Sequence, residues 1–274
     1  MITQTYSLIN RLFVCNLWVV SQTNSLFLFF IVKVCLITNL YPPYARGGAE
    51  QVVYKTVQGL LSASDEVVVI TTTPKTAEVV CTGRLTLYRI RPVNLFYYTA
   101  ASEYPAIFRL LWHVIDMYHF GSARAVARIL EQEKPDIVHT HNLMGMGFLI
   151  PRQIRRLKLR HLHTVHDVQL AEPSGIILKN QENNWRYTGL PSRIYAAAMR
   201  QLLGSPDVVI SPSQFLLDFY RRRKFFLGSD RVLLRNPVTL HEPIGRKTGD
   251  CLHFLYLGQF EEHKGVLFLV KTFL

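Results

Sequence analysis

The sequence predicts an α/β protein built on a doubly wound, Rossmann-like parallel sheet. Three observations carry this. Near-continuous apolar runs rich in β-branched residues, such as VKVCLIT at 32–38, read as strands covered on both faces. A glycine turn and an amphipathic helix follow that run and lead into a second one, which is a βαβ unit. Strands and helices then keep alternating along the chain.

The elements follow in order. After the strand at 32–38 comes the turn NLYPP, then Arg46-Gly47-Gly48-Ala49-Glu50, where a helix begins. Val53, Val57, Leu60 and Leu61 give it one apolar face. EVVVIT at 66–71 is the next strand. Ala123, Val126, Ala127 and Leu130 mark a helix that ends before Pro135, and DIVHT at 136–140 is a short strand. Ile150, Ile154 and Leu157 line another helix, with a strand at 161–165. DVVIS at 207–211 runs into Pro212-Ser213, a helix start with Phe215, Leu216 and Phe219 expected inward. RVLL at 231–234 closes the series.

The expected domain organisation has four parts. Residues 1–31 read as an extension outside the fold. Their apolar runs at 12–20 and 26–30 are too short to span a bilayer, no small-residue cleavage site follows, and a natural start near Val32 is expected. Residues 32–235 form the N-terminal domain. NPVTLHEPIGRKTGD at 236–250 has the Pro and Gly content of a linker. Residues 251–274 read as the first strand (252–257), loop and helix start (about Val266) of a truncated second Rossmann-like domain.

Composition narrows the function classes. With 274 residues, 49% of them hydrophobic and 18% charged, the chain is neither disordered nor collagen-like. Its 31 basic and 19 acidic side chains leave +12, which points to an anionic partner. Cys15, Cys35, Cys81 and Cys251 form no CxxC pair, so a disulfide framework or structural zinc is not expected and a reducing compartment fits.

Four places suit chemistry. Gly47 and Gly48 open a helix, where unpaired amides and the helix dipole favour a phosphate, although two glycines equally suit a tight turn. Five of the ten histidines fall between His139 and His166. His139 and His161 sit back in their strands and read as core residues with hydrogen-bond partners. His141-Asn142 and His166-Asp167 fall at the carboxyl ends of strands, where ligands of open α/β sheets bind. His166 is the best substrate-contacting candidate. The donor set is poor for a metal, and none is expected. Lys264, in the loop 258–265 before a helix, has the reach to meet a diphosphate. Two basic stretches complete the set: Arg221-Arg222-Arg223-Lys224 ahead of Phe225-Phe226, and Arg152 to Arg160 along a helix. Arg beside Phe suits an anionic membrane surface, and a charge run also suits a merely solvated face. No nucleic-acid module is present, so nucleic acid is not an expected partner.

Taken in sequence, NLYPPYARGGAEQVV, PDIVHTHN, HLHTVHD, DVVISPSQF, LRNPV and FLYLGQFEEHKG resemble the large family-4 (group 1) glycosyltransferases of GT-B fold, over Val32 to the C-terminus. The resemblance implies a retaining enzyme without a metal cofactor. It would move a sugar from a nucleotide-sugar donor to a saccharide or lipid-linked acceptor in glycan or polysaccharide biosynthesis. Gly47 and Gly48 match the glycine loop beside the donor diphosphate and acceptor. His166 matches the active-site histidine, with Asp167 beside it. Lys264 matches the lysine that binds the diphosphate. Gln259 stands where the family commonly has Arg and brings no charge. Asn142, Ser213 and Asn236 are further substrate-binding candidates. The glutamate pair of the donor pocket would lie beyond Leu274, so this chain is expected to be inactive alone. A cytoplasmic protein, peripheral on the inner membrane face, is implied. The rival readings are a nucleotide-sugar epimerase or hydrolase on the same fold, and a non-catalytic anion- or membrane-binding module.

Overall fold

A computed structural model describes residues 31–45, 47–177, 184–238, 255–258, 260 and 265–273. Among these residues the chain runs β1 (Lys33–Ile37), α1 (Gly48–Ser62), β2 (Glu66–Thr72), β3 (Glu78–Thr82), β4 (Leu85–Ile90) and a 3-10 turn (Tyr98–Glu103). It continues α2 (Ala106–Met117), α3 (Phe120–Glu133), β5 (Ile137–Thr140), α4 (Ile150–Arg156), β6 (Arg160–Thr164), α5 (Trp185–Thr188) and α6 (Leu190–Leu203). β7 (Val208–Ser211), α7 (Gln214–Arg222), β8 (Asp230–Leu233) and α8 (Val266–Phe273) follow.

The strands form one sheet in the order β3-β4-β2-β1-β5-β6-β7-β8. Only the β3–β4 pair is antiparallel. Central β1 shows why its sequence is apolar throughout. Cys35 and Ile37 enter the core on one face with Val68, Ile70 and Val138, whereas Val34 and Leu36 face the other, against Val53, Val57 and Leu60 of α1. A strand buried on both sides has no polar position to spare. From β1 the chain first builds outward through β2 and β4, then returns to lay β5 on the opposite side of β1. The order therefore reverses between β1 and β5, the switch point near which ligands of open α/β sheets bind, and a cleft lies at the carboxyl ends of β5 and β6. The doubly wound parallel sheet expected from the sequence is the one observed.

Several elements depart from expectation. The β3–β4 hairpin adds an antiparallel edge. All five β3 residues are exposed, so the strand has no buried face to give it away. Helices α2 and α6 were not expected, because both carry large apolar residues on the solvent side, including Ile107, Leu110, Leu190 and Ile194. Phe215 was expected inward but is 60% exposed; α7 buries Leu216, Leu217, Phe219 and Tyr220 instead. Of the strand expected at 252–257, residues 252–254 lie outside the described residues, and 255–257 are irregular. The helix from Val266 is present, with Leu267, Phe268, Val270 and Phe273 at least half exposed. Residues 236–238 have no regular structure, and the remainder of the expected linker lies outside the described residues.

Candidate active site

The expected site residues gather at one edge of the sheet because each follows the carboxyl end of a strand. Gly47 and Gly48 come after β1, Asn142 after β5, His166 and Asp167 after β6, Ser213 after β7 and Asn236 after β8. Gln259 and Lys264 lie outside the described residues.

The histidines of β5 and β6 have partners supplied by alternating threonines. His139 Nε2 is 2.7 Å from Thr164 Oγ1, and His161 Nε2 is 2.7 Å from Thr140 Oγ1. His163 Nδ1 lies 2.9 Å from the same Thr140 hydroxyl. Thr140 registers with His163, so His161 and His163 share its face of the sheet, opposite His139. Burial holds these imidazoles neutral: His139 and His163 are pushed down to about 3, and His161 far below its ordinary value. They are core groups.

The mouth of the crevice differs. His141 Nδ1 is 2.9 Å from His166 Nε2, and the two rings lie with centroids 5.2 Å apart. His141 is buried, whereas His166 is half-buried. Burial brings His166 down to about 4, so it is neutral at pH 7. Burial, then the neighbouring imidazoles, hold His141 well below its ordinary value. His141 Nε2 is buried without a partner. One tautomer pair is the less costly. If His141 carries its proton on Nδ1 and donates to His166, the orphan atom is a bare lone pair; the reverse would strand an N–H, the costlier orphan. His166 then keeps its own proton on Nδ1, as a donor.

Burial raises the Asp167 carboxyl from its ordinary value, offset in part by the Gln169 amide, which donates to Oδ1 at 2.8 Å. His141, Asn142, His166, Asp167 and Gln169 line a narrow cleft with about 10 Å3 of water-accessible space, room for one water rather than a sugar.

The glycine loop carries an unexpected carboxylate. The Gly47 amide donates to Glu50 Oε2 at 2.7 Å, so it is already paired. Gly48 opens α1 with no neighbouring atom within 4 Å of a Cβ placed there, and that open space at a helix N-terminus suits an anion. Ser213 is committed locally: its hydroxyl caps α7 by accepting from the Leu216 amide at 3.3 Å. Asn236 is exposed beyond β8.

Sequence reasoning missed the residues that position this edge. Tyr220 of α7 donates to the Asp167 carbonyl at 2.7 Å and accepts from the Leu170 amide at 3.3 Å, clamping the loop that bears His166. Tyr195 of α6 donates to the Gln169 carbonyl at 3.0 Å. Asn39 joins β1 to the β5 loop: its side-chain amide donates to Met144 O at 3.0 Å and its backbone amide to Asn142 O at 2.8 Å. Asp116 accepts from the Gly145 amide at 2.9 Å. A signal for this last contact was present in Gly145-Met146-Gly147. Both glycines have positive φ, and a Cβ on Gly145 would sit 2.7 Å from that of Tyr98.

The basic stretch at 221–226 is not the membrane patch that Arg beside Phe suggested. Phe225 and Phe226 are core residues. Arg223 stacks 3.7 Å over the Phe219 ring, and Arg200 donates to the Arg223 carbonyl at 3.2 Å. Arg155, in the other basic stretch, donates to the Leu202 and Leu203 carbonyls at the end of α6.

A protein described as "Uncharacterized 42.6 kDa protein in cps region" of Klebsiella pneumoniae is 24% identical over 236 residues, covering 85% of this chain; the chain spans 63% of that relative's length. Among solved structures, a sucrose-phosphate synthase from Thermosynechococcus elongatus is 16% identical, with a TM-score of 0.45 over 74% of this chain and 88% of its own. A trehalose-6-phosphate synthase is 14% identical, with a TM-score of 0.45 over 75% of this chain and 50% of its own. The model of Glycosyltransferase Family 4 matches residues 46–242, a span that holds every described candidate residue from Gly47 to Asn236. The chain belongs to glycosyltransferase family 4.

Proposed function

We propose that this chain is the acceptor-side domain of a retaining glycosyltransferase. The enzyme moves a sugar from a nucleotide-sugar donor to a saccharide or lipid-linked acceptor, in glycan or polysaccharide biosynthesis at the cytoplasmic membrane face. Family membership supports the transfer, and the cps region in the Klebsiella relative's description supports the pathway. The observation that carries the reading is the His141–His166 pair at the crevice mouth, beside Asp167.

The chemistry follows from the protonation states. Charge develops on the departing diphosphate, where helix N-termini and cations stabilise it. The open N-terminus of α1 at Gly48 serves one side. Gln259 and Lys264 serve the other, and no metal is required. His166 is neutral, and its Nε2 is engaged by His141, so it serves as a hydrogen-bond donor through Nδ1 rather than as a base. It orients a sugar or acceptor hydroxyl oxygen. Asp167 is held in a clamped loop beside it. The cleft beside the pair is too small for a sugar, so on this reading the sugar sits outward of it.

The test is a panel of labelled nucleotide sugars, offered to the gene product that includes its donor-binding half, with His166→Ala as control. Label appearing in a saccharide or lipid product, and lost in the variant, supports the reading. Free sugar or an epimerised donor with no acceptor product would favour the hydrolase or epimerase reading. Binding without turnover would favour the non-catalytic module.

A further inference from the structure

Helix α2 buries Trp112 and Met117 together with Asp116, yet it leaves a second apolar stripe in water. A helix on a soluble domain turns its apolar stripe inward and its polar residues to water. Here Ile107, Phe108, Leu110, Leu111 and Val114 form the apolar stripe, and each is 50–67% exposed. The opposite side holds buried Trp112 and Asp116, the latter with the Gly145 amide as its donor, while Arg109 is exposed. Beside the stripe, a groove of about 640 Å3 is lined by Arg91, Val93, Ile115, Tyr118 and Phe120. Gly121 and Ala125 of α3 also line it, and Arg124 and Arg128 lie on that same face of α3. An exposed apolar surface of this extent marks an interaction site.

Charge identifies the partner. Between residues 91 and 131 the exposed charged side chains are Arg91, Arg109, Arg124 and Arg128 against Glu103 and Glu131, an excess of arginine. A second copy of the chain on this face would bring arginines against arginines. An anionic lipid surface satisfies the apolar stripe and the arginines together. α2 has 12 residues, and among the described residues no helix is long and apolar enough to cross a membrane, so the fit is to lie in the interface.

We propose that α2 and the adjoining groove dock the protein on an anionic lipid bilayer. The outward residues of α2 enter the acyl boundary, and Arg91, Arg124 and Arg128 meet headgroup phosphates. α2 follows β4, so it stands at the same sheet edge as His166, and its inner face holds the loop after β5. Docking therefore brings this edge of the sheet close to the membrane, where a lipid-linked acceptor would lie. The docking itself does not depend on the transfer reading, and vesicle binding measures it without any donor or acceptor.

The experiment is flotation of the 274-residue chain with vesicles of phosphatidylcholine mixed with phosphatidylglycerol, and with phosphatidylcholine alone. The chain floats with the mixed vesicles and is released by salt. Ile107→Gln with Leu110→Gln, both at exposed positions, lowers the bound fraction by roughly tenfold or more while circular dichroism stays unchanged. Arg124→Glu with Arg128→Glu also lowers it. Absence of flotation overturns the proposal. So does equal flotation by wild type and the α2 variant, which would put the membrane contact elsewhere. Equal flotation with uncharged vesicles overturns the anionic requirement. A dimer abolished by the α2 variant, without vesicle binding, would assign the face to a second copy.

Discussion

His141 Nδ1 and His166 Nε2 lie 2.9 Å apart, so a single imidazole–imidazole hydrogen bond joins the ends of β5 and β6. One ring is buried and the other reaches the crevice, and the bond transmits the fixed orientation of the first to the second. His166→Ala is expected to lower turnover of the complete enzyme by more than about tenfold, roughly 1.4 kcal/mol of transition-state stabilisation. His166→Asn keeps an N–H donor and should retain more activity than the alanine variant. Equal loss in both, with a pH–rate profile that loses an acidic limb near pH 4, would instead make His166 a base.

Gly48→Val should abolish transfer and leave the melting temperature unchanged. Gly48 is exposed and no atom stands within 4 Å of an added Cβ, so the fold accepts the side chain. Only a ligand occupying that space is displaced. Wild-type turnover in the variant would remove the position from the site.

The five histidines at 139–166 are expected to make the domain acid-labile. Burial holds His139 and His163 at about 3 and His166 at about 4, with His141 and His161 far below the ordinary value of 6.5. Their folded values are depressed, so the unfolded chain binds more protons as pH falls below 6.5. The stability contributed above that pH is lost toward pH 4, at up to about 1.4 kcal/mol per pH unit for each histidine. Melting temperature measured from pH 7.5 to 4.5 should fall steeply; a flat profile would sink the assignment.

Asp116 acts in the opposite direction. Burial raises its carboxyl from 3.8 to about 7, against the opposing Gly145 hydrogen bond. Its favourable contribution is complete below 3.8 and is lost as pH rises through about 7. Asp116→Asn keeps an acceptor for the Gly145 amide without the charge. The variant should match wild type near pH 4 and exceed it above pH 7, by an amount on the order of 4 kcal/mol at most. Urea unfolding at the two pH values checks this. Equal differences at both would show that the carboxyl ionises freely.

Tyr220→Phe removes a hydroxyl that satisfies two backbone groups of the loop at 167–170, the Asp167 carbonyl and the Leu170 amide. A loss of about 1–3 kcal/mol in urea unfolding is expected, together with faster amide exchange at Leu170. Unchanged exchange would mean that packing alone holds the loop.

The sequence by itself determined the frame. β1, β2 and β5 to β7 were legible because a parallel strand covered on both faces is apolar along most of its length, a property of a few neighbouring residues; β8, mostly exposed at the sheet edge, was legible only as the RVLL run that closes the series. The glycine loop at Gly47-Gly48 and the strand-end positions of Asn142 and His166 were legible for the same local reason. Tertiary structure decided what local pattern cannot encode. β3 carries no buried face, so only pairing with β4 makes it part of the sheet. Phe225 and Phe226 sit beside four basic residues, yet the turn after α7 folds them into the core, and Phe215 in the preceding helix faces water. α2 has an apolar stripe at helical spacing, and only packing reveals that the stripe faces outward, because buried Asp116 reaches the Gly145 amide from the other side. The His141–His166 bond joins residues on different strands. Its geometry follows from the register between β5 and β6, and no periodicity within either strand contains that register.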